Sequence, residues 1–80
     1  MTRRVITADI VRADLPKIVR KHRARIMAVL LTEGHTVEAA RPICERRLRQ
    51  NHRIRLRNFA DEYPHLETTA RHVLRQQGVL

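Results

Sequence analysis

Tryptophan is missing from this sequence, and Phe59 and Tyr63 are its only aromatic residues apart from histidine. So few rings argue against a platform on which single-stranded bases stack. The lone cysteine, Cys44, excludes an internal disulfide, and one thiol fits a reducing cytoplasm, the expected location. Glycine occurs only at Gly34 and Gly78, which leaves no material for a phosphate-cradling glycine loop. The longest apolar run, residues 26–31, has six residues against the ~20 of a membrane span, so no membrane partner is expected. The opening residues carry charge but no apolar run of signal-peptide length, and Asp9 interrupts them. Acids are scarce as well, with 8 Asp and Glu against 17 Lys and Arg, for a net charge of +9.

Chemistry of a catalytic kind is equally thin. There is no nucleophile with a spaced base and no pair of carboxylates placed for acid–base work, so an enzyme is not expected. The 5 histidines and Cys44 lack the close paired spacing of a zinc site. No metal and no cofactor are therefore expected.

The 80 residues make one domain, 1–80. A core of that size leaves only roughly 3–5 kcal/mol of net stability, and self-association is the obvious way to bury more surface.

Positive charge is concentrated in residues 41–57. Arg41, Arg46, Arg47, Arg49, Arg53, Arg55 and Arg57 stand there against one acid, Glu45, so the segment carries +6 of the total. Every cation in it is arginine, whose planar fork matches a phosphate two bonds at a time. Like charges at this density repel unless an anion arrives, and for a basic domain that anion is expected to be nucleic acid. A second basic block lies in residues 1–25. Between the two, residues 26–40 hold no cation and only Glu33 and Glu38 as acids. Two basic surfaces around an apolar centre are expected.

The periodicity predicts an all-α bundle of three to four helices, about 15–33, 37–50, 54–63 and 67–77. Residues 1–13 are ambiguous between a short strand at Val5-Ile6 and a helical turn from Ala8. Asp14 reads as an N-cap, with Pro16 in the first turn, where its missing N–H costs nothing. Leu15, Ile18, Val19, His22, Ile26, Val29 and Leu30 share one face, and Gly34 is placed to end the helix. Ala24, Met27, Ala28 and Leu31 make a second apolar patch on the far side, read as a homodimer interface. Thr36 can cap the second helix, with a kink expected at Pro42. Gln50-Asn51-His52 reads as a break. Beyond it, Arg53-Ile54-Arg55-Leu56-Arg57 alternates like a strand. The longer stripe Leu56, Phe59, Ala60 and Tyr63 favours a helix, stopped by Pro64. Ala70, Val73, Leu74 and Gln77 give the last helix its inward face, and Gly78 ends it.

Residues 54–79 resemble the helix-turn-helix of small bacterial and phage DNA-binding regulators. Ala60 matches the small residue where the two helices of that motif touch. Thr68-Thr69-Ala70-Arg71 is similar to the polar start of a recognition helix, and Val73-Leu74 and Gly78-Val79 to its apolar anchor and close. Pro64 stands where the motif usually has Gly, and His65 where an apolar residue is usual. The resemblance implies base contacts from Thr68, Thr69, Arg71, His72, Arg75 and Gln76 in the major groove. Arg46, Arg47, Arg49, Arg53, Arg55 and Arg57 would then hold phosphates, since such contacts position the protein and base contacts specify the sequence. The expected partner is double-stranded DNA, bound by a dimeric transcriptional regulator. Two other readings stay open. One is an arginine-rich RNA-binding helix. The other is a small inhibitor or adaptor of anti-CRISPR-like phage type, docking on a host protein or blocking its nucleic-acid channel.

Overall fold

The computed structural model describes residues 5–80, and the opening residues 1–4 of the ambiguous stretch lie outside them. Among the described residues the fold is all-helical. It comprises α1 (Ala8–Thr32), α2 (Val37–Glu62), a 3-10 turn (Pro64–Leu66) and α3 (Glu67–Gln76).

Helix α1 begins seven residues before the expected 15–33, capped by Thr7 and not Asp14; the Thr7 hydroxyl accepts from the Ile10 N–H at 3.3 Å. Pro16 therefore lies inside the helix, where it forfeits a hydrogen bond and crowds the previous turn, at about 3 kcal/mol. Apolar burial upstream offsets that cost. Val11 is buried, and Ile6 and Ala8 pack on the same core as Leu15. The α1 stripe is narrower than its spacing predicts, because Ile18 and Val29 stay exposed while Val19 and Leu30 are fully buried.

Gly34 ends α1 in the left-handed region at φ 100°, and the His35 N–H donates back to the Leu30 carbonyl at 3.1 Å. The Thr36 hydroxyl then caps α2, accepting from the Ala39 N–H at 3.1 Å.

Helix α2 corrects the expected 37–50 and 54–63. They are one helix of 26 residues without the break at residues 50–52; Pro42 lies inside it, and the alternating 53–57 segment is helical too. Ala40, Cys44, Leu48, His52 and Leu56 are buried at four-residue intervals, so a single packed seam runs straight through the supposed break. Pro64 does stop α2. Tyr63 leaves helical geometry at φ −128°, ψ 69°, and the 3-10 turn hands the chain to α3. Gly78, at φ 74°, ends α3 and lets the Val79 N–H reach the Leu74 carbonyl at 3.0 Å.

The main core joins Val11 and Val19 of α1, Leu48 and Leu56 of α2, and Leu66, Ala70, Leu74 and Val79 from the 3-10 turn onward. A smaller cluster of Leu30, Ala40 and Cys44 closes the α1–α2 hairpin. Met27 packs against that cluster and is only half-exposed, so this chain already uses part of the patch read as a dimer interface. Ala24, Ala28 and Leu31 of that patch remain exposed.

Candidate nucleic-acid interface

The inward seam of α2 dictates where its arginines go. With buried positions at 40, 44, 48, 52 and 56, the cations between them are pushed outward. Arg41, Arg46, Arg47, Arg49, Arg53, Arg55 and Arg57 are all exposed. Arg46, Arg49, Arg53 and Arg57 follow at steps of three and four residues and so form one ladder along one face. Neighbours on such a ladder stand roughly 5–6 Å apart at the level of Cβ. Arg47 and Arg55 lie off it on other sides of the helix. The six expected phosphate-binding arginines thus divide into a face of four and two outliers.

Glu45, the one acid of the segment, is engaged elsewhere. Arg23 of α1 donates to both its carboxylate oxygens, from Nε at 2.8 Å and from a terminal nitrogen at 3.3 Å. The same terminal nitrogen donates to the Gln77 carbonyl at 3.3 Å, so one half-buried guanidinium ties all three helices together. None of the α2 arginines forms a hydrogen bond or an ion pair with a described residue. Seven guanidinium groups therefore face solvent with their own acid withdrawn.

On α3 the buried Ala70, Val73 and Leu74 turn Thr68, Arg71, His72, Arg75 and Gln76 outward, while Thr69 is half-buried at the side. Arg71 pairs loosely with Glu67 one turn before it, at 3.5 Å. The two expected sets meet in a shallow groove of about 360 Å³, where Arg53 and Arg57 of α2 line the same concavity as Arg71 of α3, together with Asp61 and Glu67. Arg75 and His72 continue the surface along α3 without lining that groove. The arginine ladder and the outward face of α3 are thus adjoining parts of one basic surface. Its two acids moderate the charge where they join.

The histidines divide similarly. His65 and His72 are exposed. His22 of α1, half-buried, meets the buried His52 of α2 where the two helices pack, with Nδ1 of the first 3.3 Å from Nε2 of the second, one ring donating and the other accepting. His52 is 2% exposed. Burial, with the neighbouring His22, Arg55 and Arg23, holds its pKa down at about 4. Burial, Arg55 and Arg25 lower that of His22 too. Both rings are neutral at pH 7 and act as packed core groups. No group of three metal-ligating side chains occurs among the described residues. Burial also raises the Cys44 thiol, which donates to the Arg23 carbonyl at 3.6 Å, so it stays protonated and unreactive.

Arg23 and His52 are the two structural residues that the sequence reading did not single out for these roles. For His52 a signal existed, the unbroken four-residue spacing from Ala40 to Leu56. For Arg23 there was none, since its partners lie on two other helices.

No helix among the described residues is long and apolar enough to cross a membrane. No protein-family model, curated protein or solved structure matches the chain.

Proposed function

We propose that this chain is a small basic DNA-binding protein that regulates transcription, gripping phosphates with the α2 ladder and reading bases with α3. One observation carries the reading. The arginines of residues 41–57 are exposed and have no acid partner among the described residues, because Glu45 is held by Arg23. Four of them lie in line beside a helix whose outward face is Thr68, Arg71, His72 and Arg75. Phosphates complete such a ladder, and Arg71 and Arg75 have the fork that reads guanine. A homodimer would place two such units on a two-fold site, with the exposed Ala24, Ala28 and Leu31 as its contact.

The runner-up, an arginine-rich RNA-binding helix, is favoured by the continuity of α2. An unbroken helix carrying guanidinium groups on several sides suits a folded RNA as well as a duplex.

The deciding experiment is a binding series on duplex DNA and structured RNA at two salt concentrations. Engagement of the four ladder arginines predicts a log–log salt slope of about −3 to −4 on DNA, and each Arg→Ala change on the ladder should remove about one unit of it. Arg71→Ala with Arg75→Ala should instead flatten the preference among DNA sequences. Tighter binding to RNA with an unchanged ladder dependence would transfer the reading to RNA. Failure to bind either polymer in dilute buffer would end both readings and leave an acidic protein surface as the target.

A further inference from the structure

A second concavity, of about 340 Å³, lies between the first half of α1, the C-terminal half of α2 and α3. Its wall is largely apolar, with Ile10, Leu15, Ile18, Phe59 and Leu74 among its lining residues. Ile18 sits on the core-facing stripe of α1 yet is 40% exposed, because it opens onto this groove and not onto packed side chains. Among the described residues, three polar ones reach the lining, namely Asp14, His52 and Arg55. Two are committed already: His52 to His22, and Asp14 to an interaction of its own. Arg55 is the third. It stands off the phosphate ladder, is exposed, and has no acid or hydrogen-bond partner among the described residues.

We propose that this groove is a binding site for a small anionic amphipath, a compact apolar body ending in one carboxylate, with the body against α1 and α3 and the carboxylate on the Arg55 guanidinium. The volume falls at the lower end of the roughly 300–1,000 Å³ typical of small-molecule sites, and an apolar wall with a few polar groups is their usual make-up. A planar fork left open at the rim selects a carboxylate over a neutral or cationic head. A second copy of this chain is already assigned to the exposed Ala24, Ala28 and Leu31, none of which lines this groove. A nucleic acid would set phosphates on an apolar wall. The site is independent of the proposed DNA contacts on the ladder and on the outward face of α3.

The test uses the full chain and three probes of equal tail: decanoate, 1-decanol and decyltrimethylammonium. Calorimetry gives stoichiometry, and amide chemical shifts give location. The expected result is one decanoate per chain, with shifts at Ile10, Leu15, Phe59 and Leu74. Affinity should drop about tenfold for decanol and for Arg55→Gln, the worth of one charge-assisted bond. Arg46→Gln, a ladder residue on another side of α2, should bind decanoate as the parent does. Ile18→Trp should fill the groove from its exposed lip and abolish binding while helicity is kept. The proposal is overturned by several decanoates per chain spread over the basic surface, by equal loss in Arg46→Gln and Arg55→Gln, by decanol binding as well as decanoate, or by no binding at all.

Discussion

His52 is the residue on which the acid stability of this fold turns. Its ring is buried in the α2 seam, shares one proton with His22 across the helix pair, and has Arg23 and Arg55 as charged neighbours. Protonating it puts an imidazolium among cations inside the core. The folded-state pKa of about 4 lies below the ordinary 6.5, so the unfolded chain binds the extra proton first on acidification. The stabilisation from the neutral ring is complete above about pH 6.5 and is lost as pH falls toward 4. Between pH 7 and 5 that amounts to about 2 kcal/mol, a large share of what a domain of this size has in hand. Urea midpoints at the two pH values should show the loss in the parent. In His52→Leu, of similar volume and uncharged, most of that difference should disappear. An equally steep acid loss in the variant would move its origin to other groups.

The elements show where sequence reading succeeds and where it stops. Punctuation that acts within a few residues was legible: Gly34 and Gly78 sit at positive φ, Thr36 caps, and Pro64 stops α2. The outward α3 face was legible as well, since Ala70, Val73 and Leu74 leave its polar residues only one side to occupy. What failed were the decisions settled by tertiary partners. Gln50-Asn51-His52 reads as polar, which masks the four-residue spacing from Ala40 to Leu56, and the facing His22 gives the buried His52 ring its polar partner. Asp14 and Pro16 read as a helix start, and only the core that receives Val11, Ile6 and Ala8 pulls the start back to Thr7. For the site, the arginines were legible as a charge excess. Their sorting into a ladder of four plus Arg47 and Arg55 depended on α2 being unbroken. Asn51 tests that continuity. It is exposed in mid-helix, where Asn is a poorer helix former than Ala, so Asn51→Ala should stabilise by roughly 0.5 kcal/mol in urea denaturation. A break at residues 50–52 would give no gain.

At the scale of the whole molecule, the excess positive charge sets two opposite salt dependences. The chain carries a net +9, and the fold measures 44 × 27 × 19 Å. At about 10 mM salt the Debye length is near 30 Å, so cations on α1, α2 and α3 feel one another across most of the long axis. At about 150 mM it shrinks to roughly 8 Å, little more than the spacing between ladder arginines, and most of that repulsion is screened. The free protein should therefore melt higher in salt. Each 1 kcal/mol of relieved repulsion corresponds to about 4–8 °C for a domain of this length. Binding to a polyanion runs the other way, because salt restores the counterions that the arginines displace. Thermal melts of the free chain and of the chain with the proposed DNA duplex, taken at both salt concentrations, should show the two trends converging. At low salt the complex melts well above the free protein, and at moderate salt the gap narrows from both sides. A melting point of the free chain that is flat or falls with salt would mean the arginines are not under mutual strain. The electrostatic reason for expecting an anionic partner would then be gone.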